Sequence, residues 1–404
     1  MSNKKTYKID LRPMDVFFFG GEQHFGEGDE ANYFVRSNYF PQQSGVLGML
    51  RHQLLIQNDC IPITPHNRNI VSELIGEESY DILGSAKSFG AIHNISPLFI
   101  SKDDELLFPE AYEFYINTKH APDQLSQIEV NTIAGQTLIY PETEKKSIIS
   151  VGESYLGKYD IKELLVSKKN NQQYDYCFSK ERKEENKKKN WPANGVFIEA
   201  GKPGIQKSLR KQKGQKDQGF YKQYSWSFPE NVCFTFFVEI DREVAKNFET
   251  GRIMLGGEKS AFHMVIEEYK EIDSPFDETS AFYDGLYERS HTSLNKIVCL
   301  SDCIVSDELA SKVAFMSNIM IEFRNSRSKV SNTSNYNRMD KKYENDKSQY
   351  NSPVRSQKYQ LLKRGSVLWV DDVHLEAVQN LLNQPQHRAI GYNYFKTIQN
   401  HSKQ

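Results

Sequence analysis

Apolar and polar residues alternate most regularly from Asn231 to Ile240. The apolar positions of this run fall on one face, which consists of Val232, Phe234, Phe236, Val238 and Ile240. Successive side chains of a β-strand point to opposite faces of the sheet. The pattern therefore predicts a strand that buries one face in a core.

A second stretch, Gly251 to Tyr269, predicts two strands joined by a turn at Gly256 and Gly257. Glycine has no Cβ, so the backbone there can take a positive φ and a bulky group can come close to it. One interpretation is a backbone surface held against a ligand, because polar residues follow the glycines. The other is a plain hairpin turn, which is the more common use of two glycines between strands.

The pattern changes after Pro41 to the spacing of an amphipathic helix. Its apolar stripe consists of Val46, Leu47, Leu50 and Leu54, and Ser44 is the expected N-cap. Arg51 falls at the edge of this stripe, beside the gap that Gly48 leaves. The helix start presents unpaired N–H groups that suit a phosphate. The alternative is an ordinary capped helix with a solvent-facing arginine.

Strands and short helices alternate along the rest of the chain, which predicts an α+β fold with two small sheets. The other expected elements are strands at 6–19, 32–40, 296–305 and 318–323, a hairpin at 91–109, helices at 160–166 and 373–383, and a strand at 359–372. A chain of 404 residues exceeds the roughly 250–300 at which one core stops growing. We therefore expect two domains, residues 1–225 and 226–404, with a poorly ordered excursion near 324–357.

The composition is that of an ordinary globular protein, with 38% hydrophobic and 26% charged residues. No run approaches the roughly 18 apolar residues of a membrane span, and the opening residues lack the apolar core of a signal peptide. We therefore expect a cytoplasmic protein with no membrane partner. The five cysteines are scattered and form no CxxC pair, which indicates neither a disulfide framework nor a zinc site.

The net charge of −2 conceals two basic stretches, residues 180–222 and 324–364, each with a net charge of +8. Such segregation indicates a polyanionic partner, although lysine-rich runs also occur in solvated loops. Within Gly204 to Trp226, cations and glycines are followed by Phe220, Tyr221, Tyr224 and Trp226. Cations neutralise phosphates and exposed rings stack on bases, as in proteins that hold single-stranded RNA. The alternative is a hairpin whose rings turn back into the core.

Six segments resemble the CRISPR-associated RAMP proteins, and within them the third-numbered subunit of the type III-B effector, the Cmr complex. In order they are LRPMDVFFF, YFPQQSGVLGMLR, SPLFISKDDELLFP, GIQKSLRKQKGQKDQGFYKQ, IMLGGEKSAFHMVI and KRGSVLWV. The resemblance implies two ferredoxin-like (RRM-like) domains with a glycine-rich loop and long basic insertions. It also implies a non-catalytic role: holding the repeat-derived 5′ tag of the CRISPR RNA, joining the large polymerase/cyclase-type subunit to the backbone RAMP subunits, and meeting target RNA only indirectly.

The resemblance further implies four groups of RNA-contacting residues. They are Gly256, Gly257, Lys259, Ser260 and His263 around the glycine loop; Gln42, Gln43, Ser44, Gly45 and Arg51 in the first helix; Lys207, Arg210, Lys211, Lys213 and Tyr221 in the basic hairpin; and Arg364, Gly365 and Ser366 in the late Gly-Ser strand. The lysine-rich segment before Trp191 and the segment after Arg324 have no counterpart in the family, so their roles stay open.

Some RAMP relatives cleave CRISPR RNA without a metal, using a histidine assisted by lysine or tyrosine. His24 and His263 are the candidates here, so a CRISPR RNA-processing endoribonuclease is the alternative function, and a protein-only scaffold is a third. A lone histidine near a strand is more often structural. The sequence has no GxxxxGK[ST] loop and no compact set of carboxylates. We therefore expect no catalytic residue, metal or cofactor.

Overall fold

The computed structural model describes residues 4–20, 23–24, 33–76, 80–83, 88–117, 121–133, 136–141, 147–148, 159–178, 194–205, 220–256, 258–287, 294–323, 326–327, 354–355 and 359–400. Strands predominate over helices within these residues, and the fold is a sheet-rich mixture of α and β structure. The expected excursion near 324–357 lies largely outside the described residues.

The described α-helices are α1 (Gln43–Gln57), α2 (Arg68–Ile75), α3 (Asp307–Lys312), α4 (Leu375–Leu382) and α5 (Pro385–Arg388), with 3-10 turns at Val244–Asn247 and Ala281–Tyr283. The strands up to the basic hairpin are β1 (Lys4–Pro13), β2 (Gln23–His24), β3 (Tyr33–Arg36), β4 (Ile92–Ile95), β5 (Phe99–Lys102), β6 (Glu105–Pro109), β7 (Phe114–Asn117), β8 (Ala121–Ile133), β9 (Gln136–Pro141), β10 (Ser147–Ile148), β11 (Tyr159–Ile161), β12 (Leu164–Ser167) and β13 (Gln173–Phe178). They continue as β14 (Gly195–Ile205), β15 (Phe220–Ser227), β16 (Val232–Asp241), β17 (Gly251–Leu255), β18 (Ser260–Glu268), β19 (Asn295–Cys299), β20 (Cys303–Ile304), β21 (Phe315–Ser317), β22 (Met320–Phe323), β23 (Ser326–Arg327), β24 (Val354–Arg355), β25 (Tyr359–Leu362), β26 (Val367–Val370) and β27 (Phe395–Ile398).

The largest sheet contains 13 strands, and β1 lies within it between β16 and β18. β1 pairs antiparallel with both neighbours, and β17 pairs with the far side of β18. Leu50 and Leu54 of α1 are buried in the same core as Ile9 and Leu11 of β1, so the helix covers one face of the sheet. The predicted apolar face of β16 is buried in this core as well, which confirms that strand.

A second sheet of four strands, in the order β21-β26-β19-β27, contains the C-terminal part of the chain. Its neighbouring strands are all antiparallel. Leu309 of α3 and Val378 and Leu382 of α4 pack in a core with residues of this sheet. The small sheet formed by β20, β25 and β22 contributes Phe323 and Leu361 to the main core. The two halves of the chain therefore share buried contacts.

The predicted boundary between residues 225 and 226 does not coincide with the division between sheets. β16, β17 and β18 all follow residue 225, yet they belong to the same sheet as β1. A local hydrophobic pattern identifies a strand but not its partner, because pairing between distant segments is decided by the whole core. The sheet order therefore argues against the division expected from the sequence.

Two predicted elements have a different structure. The helix expected at 160–166 is replaced by β11 and β12, and β12 pairs with β6 and β13. Leu164, Leu165 and Val166 are all buried, and a short run that is apolar on both faces does not distinguish a helix from a strand. The strand expected at 359–372 is split into β25 and β26, which lie in different sheets. The predicted hairpin at 91–109 is confirmed by the pairing of β5 with β6.

The turn at Gly391 packs against the first residue of α1. Gln43 Nε2 donates hydrogen bonds to the carbonyl oxygens of Gly391 and Ser96, each at 3.1 Å. Gly391 has a φ of +91°, and a Cβ added there would lie 2.5 Å from Ser96 O and would also collide with the Gln43 side chain. Glycine is therefore required at this position by both its conformation and its surroundings.

Replacing Gly391 with alanine is expected to lower the free energy of unfolding by about 2–4 kcal/mol, because a positive φ is strained for alanine and the new methyl group collides with backbone. Urea unfolding measures this change. The matched control is Gly48→Ala in α1, where no atom lies within 4 Å of an added Cβ. That control should stabilise the protein by about 0.5–1 kcal/mol. Similar effects of the two substitutions would contradict the packing described here.

Candidate nucleic-acid interface

The glycine turn joins β17 and β18 at one edge of the large sheet. The two strands pair from Gly251 opposite Met264 to Leu255 opposite Ser260, which confirms the predicted hairpin. Lys259 N donates to Gly256 O at 3.1 Å, and the φ angles of Gly256 and Lys259 are +85° and +53°. Both residues are exposed. Gly257 lies outside the described residues.

The group that approaches Gly256 most closely belongs to the protein itself. A Cβ added to Gly256 would lie 2.9 Å from Phe18 O and 3.2 Å from Phe19 Cδ1. Ser260 is buried, and its Oγ accepts a hydrogen bond from Phe18 N at 3.0 Å. This burial argues against the RNA contact predicted for Ser260, because its hydroxyl fixes the segment Phe17–Phe19 beneath the turn.

Seven phenylalanines, which we call the phenylalanine cluster, lie beneath this part of the sheet. They are Phe17, Phe19, Phe40, Phe197, Phe228, Phe234 and Phe262. The ring centroid of Phe234 lies 5.8 Å from that of Phe19 and 5.7 Å from that of Phe40. Phe19 packs beside the glycine turn and Phe40 precedes α1. The cluster therefore connects the glycine turn with the start of α1, the two segments for which the resemblance implied separate RNA contacts.

The start of α1 is occupied by polar groups of the protein. The helix begins at Gln43, with Gln42 and not Ser44 as the N-cap, so the expected capping residue is wrong. The hydroxyl of buried Tyr392 donates to Gln42 Oε1 at 3.0 Å and lies within hydrogen-bonding reach of the backbone of Gln43 and Ser44. Gln43 is buried, and only Gly45 among these residues is exposed. The expectation of an open phosphate site at this helix end is therefore corrected.

Arg51 lies in the packing of α1, whereas the sequence left open a contact to RNA or a solvent-facing side chain. Its side chain is half-buried, with the guanidinium carbon 5.2 Å from the centroid of the Phe89 ring. Burial lowers the pKa of Arg51 to about 10. The side chain therefore belongs to the packing of α1 against its neighbours, and we leave it out of the candidate interface.

The stem of the basic hairpin is formed by β14 and β15, which pair antiparallel from Ile198 opposite Ser227 to Ile205 opposite Phe220. The predicted cations Lys207, Arg210, Lys211 and Lys213 lie outside the described residues, and Tyr221 is described only through its backbone pairing in β15. Trp226 is buried, and its Nε1 donates to Ser37 O at 2.9 Å. This ring therefore turns into the core, as the alternative interpretation stated.

The segment Arg364–Ser366 lies in the interior between two sheets, not on an RNA-facing strand. Arg364 is 2% exposed, its guanidinium carbon lies 3.8 Å from the centroid of the Phe40 ring, and Nη1 donates to Leu98 O at 2.6 Å. Its Nε lies 3.5 Å from Asp302 Oδ1. This burial argues against the RNA contacts predicted for the segment.

Gly365 makes this crossing possible. It has a φ of +89°, and a Cβ there would lie 2.8 Å from Glu110 O and 2.6 Å from Tyr112 Cε1. Ser366 is fully buried at the start of β26. The glycine is thus used for a close approach of two protein segments, the same use that the structure makes of Gly256.

Three exposed residues remain from the predicted set at the glycine hairpin, Gly256, Lys259 and His263. The side chain of His24 lies outside the described ones, so its candidacy for RNA cleavage stays a prediction. Among the described residues, no group of three or more His, Cys, Asp or Glu side chains is placed to hold a metal ion. None of the described helices combines the length and apolar character that crossing a membrane requires.

The sequence reasoning did not single out Arg12 and Arg252, which are exposed beside His263 on the neighbouring strands. Their significance depends on the pairing of β1 with β18, which no local signal in the sequence reveals. Fold and site together define a sheet-rich protein that presents cationic side chains next to a glycine turn.

The chain belongs to the family of CRISPR-associated proteins described as Cas_Cmr3, whose family model matches residues 9–399. This match confirms the resemblance seen in the six sequence segments. No curated protein matches the chain.

Solved structures to which the chain is similar include the following two. One is described as "Cryo-EM structure of the Type III-B Cmr-beta bound to cognate target RNA"; its chain is 12% identical, the alignment covers 96% of both chains, and the TM-score is 0.49. The other is described as the same assembly with cognate target RNA and AMPPnP, state 1, with 13% identity, coverage of 96% of this chain and 95% of the other, and a TM-score of 0.45. The family assignment depends on the family model alone.

Replacing Arg364 with lysine is expected to lower the free energy of unfolding by about 2–3 kcal/mol, because lysine keeps the charge but loses the guanidinium hydrogen bonds and the stacking on Phe40. Urea unfolding measures the change, with Arg68→Lys on exposed α2 as the matched control. The affinity for single-stranded RNA, measured where the variant is folded, should equal that of the wild type. A variant that unfolds normally but loses RNA affinity would mean that Arg364 contacts RNA.

Proposed function

We propose that this chain is a non-catalytic, RNA-binding assembly subunit of a type III-B CRISPR effector. In this proposal it holds the 5′ tag of the CRISPR RNA and joins the large polymerase/cyclase-type subunit to the backbone RAMP subunits, and it meets target RNA only indirectly. The observation that carries the proposal is the family match over residues 9–399. We expect the protein to be located in the cytoplasm.

The geometry of the glycine hairpin supports an RNA-binding role. Lys259 and His263 are exposed on the turn and on β18, and Gly256 leaves the backbone of the turn uncovered at the surface. The phenylalanine cluster fixes this hairpin from below, so the polar surface is held in place before any ligand arrives. A preorganised surface loses little conformational freedom on binding. The proposed contacts are therefore Gly256, Gly257, Lys259, His263 and the basic hairpin.

We also propose two ferredoxin-like domains, divided after β18 instead of at residue 225. In the second sheet the chain runs β19, α3, β21, β26, α4, β27, which is the β-α-β-β-α-β sequence of that fold. If the four strands of this unit are numbered along the chain, their order in the sheet, starting from β27, is 4-1-3-2. In the large sheet, β18, β1, β16 and β4 lie side by side in the same 4-1-3-2 order. The proposed domains are residues 4–268 and 295–398.

A CRISPR RNA-processing endoribonuclease is the alternative. Incubating the full-length protein with CRISPR repeat RNA in EDTA distinguishes the two functions, since metal-independent cleavage needs only a positioned acid–base pair. We expect the RNA to stay intact on a denaturing gel while it is retained in a binding assay. Site-specific cleavage that His24→Ala or His263→Ala removes would establish the alternative.

Replacing Lys207, Arg210, Lys211 and Lys213 together with alanine should weaken the binding of tag-bearing CRISPR RNA. Each phosphate contact contributes roughly 0.7 to the slope of log K against log salt on a single strand, so the slope should fall by up to about 3. Fluorescence anisotropy of labelled RNA over a series of salt concentrations measures it. The matched control replaces Lys180, Arg182, Lys183 and Lys187, which lie in the other part of the same basic stretch.

The control variant is expected to keep most of the slope, because charge is removed from a segment that the family does not share. Equal losses in the two variants would mean that net charge alone attracts RNA and that the hairpin is not a specific contact. A wild-type protein whose RNA retention does not depend on salt would favour the protein-only scaffold.

A further inference from the structure

Three basic side chains form a row across the exposed face of β17, β18 and β1. The strand register places Arg252 opposite His263, and His263 opposite Arg12. Directly opposed residues of antiparallel strands have Cβ atoms about 4.5–5.5 Å apart on the same face. All three residues are exposed. We call Arg12, His263 and Arg252 the basic row.

The basic row faces away from the core. The residues that alternate with it, Leu11, Ile253 and Phe262 among them, are buried on the opposite face with α1. Within the described part of the chain, no ion pair joins Arg12, His263 or Arg252 to an acidic side chain. Among the described residues, the cations of this row therefore lack the acidic partners that many surface cations have.

Farther from the glycine turn on the same face, the basic residue Lys8 has acidic neighbours. On β1, Lys8 Nζ lies 3.2 Å from Asp10 Oδ2, and Asp10 Oδ1 accepts a hydrogen bond from Thr235 Oγ1 at 2.6 Å. Glu267 of β18 lies opposite Lys8. The uncompensated positive charge of this face is thus concentrated at the row that lies nearer the glycine turn.

Apolar side chains form the next row toward the turn. Met254 lies opposite Ala261, and Met14 N donates to Ala261 O at 3.0 Å on the other side. Met14 and Met254 are 56% and 49% exposed, which is unusual for large apolar residues. The face therefore offers cations beside flexible apolar side chains, and such side chains can adapt to a sugar or a base edge.

We propose that the basic row binds phosphates of the same RNA strand that the glycine turn holds, an inference that rests on the proposed function. Adjacent strands lie about 4.7–4.9 Å apart, so Arg12 and Arg252 are separated by roughly 9–10 Å across the sheet. Two long arginine side chains span such a distance along one RNA backbone, and each guanidinium can donate two hydrogen bonds to a phosphate. His263 lies between them and can donate to the same backbone.

The test is the RNA affinity of the double variant Arg12→Gln/Arg252→Gln in the full-length protein, measured by anisotropy with tag-bearing CRISPR RNA over a series of salt concentrations. Loss of two phosphate contacts should reduce the slope of log K against log salt by about 1.4 and the affinity at 0.1 M salt by roughly 25-fold. Thermal unfolding should match the wild type, because both side chains are exposed.

Two further double variants make the result specific. Arg12→Lys/Arg252→Lys keeps both charges and should retain most of the salt slope. Arg68→Gln/Arg242→Gln removes two exposed arginines from other surfaces and should leave RNA binding close to that of the wild type.

An unchanged salt slope in the Arg12→Gln/Arg252→Gln variant would overturn this inference and assign the face to another occupant, such as a protein partner that uses the methionines. The proposed function would stand in that case, because the wild type and the basic hairpin test it separately. If the wild type bound no RNA, both the inference and the proposed function would be wrong.

Discussion

The packing of Phe234 against six other phenylalanines is the interaction on which the candidate interface depends. These rings come from the segment after β1, from the segment that leads into α1, from β14, from the chain after β15 and from β18. Apolar burial gives the cluster most of its stabilisation, and offset or edge-on ring pairs add to it. Because one ring contacts all the others, a shift of any of these segments disturbs the rest. The glycine hairpin therefore has a fixed position over a rigid base.

Polar residues near this cluster serve the fold more than the sequence suggested. Arg364 stacks on Phe40 and bonds to Leu98 and Asp302, Ser260 accepts a hydrogen bond from Phe18, and Gln43 bonds to Ser96 and Gly391. Leaving a buried polar group unpaired costs about 1–3 kcal/mol, so these contacts stabilise the fold, although Gln43 Oε1 and Arg364 Nη2 have no hydrogen-bond partner among the described residues. Each of these contacts joins segments that are distant in sequence. They connect the two halves of the chain and hold the surface above them.

The sequence predicted what local periodicity determines: β16 with its buried face, the stripe of α1, the β17–β18 hairpin and the β5–β6 hairpin. It could not predict strand partners, so the place of β16 to β18 beside β1 and the division of the chain were missed. The same limit applies to the site. Glycine motifs showed where backbone is approached closely but not by what, and at Gly256 and Gly365 the neighbour is the protein. Arg12 and Arg252 become neighbours of His263 only through the sheet register.

We propose that a strand of RNA lies on the glycine hairpin and the neighbouring face of β1, and that no bond of the RNA is broken there. The decisive experiment is photocrosslinking of 4-thiouridine-substituted CRISPR RNA to the full-length protein, with crosslinked peptides identified by mass spectrometry. We expect crosslinks within residues 251–263 and in the segment that contains Arg12 and Met14, with the RNA recovered intact. Crosslinks confined to other surfaces, or RNA cleaved at one position, would contradict it.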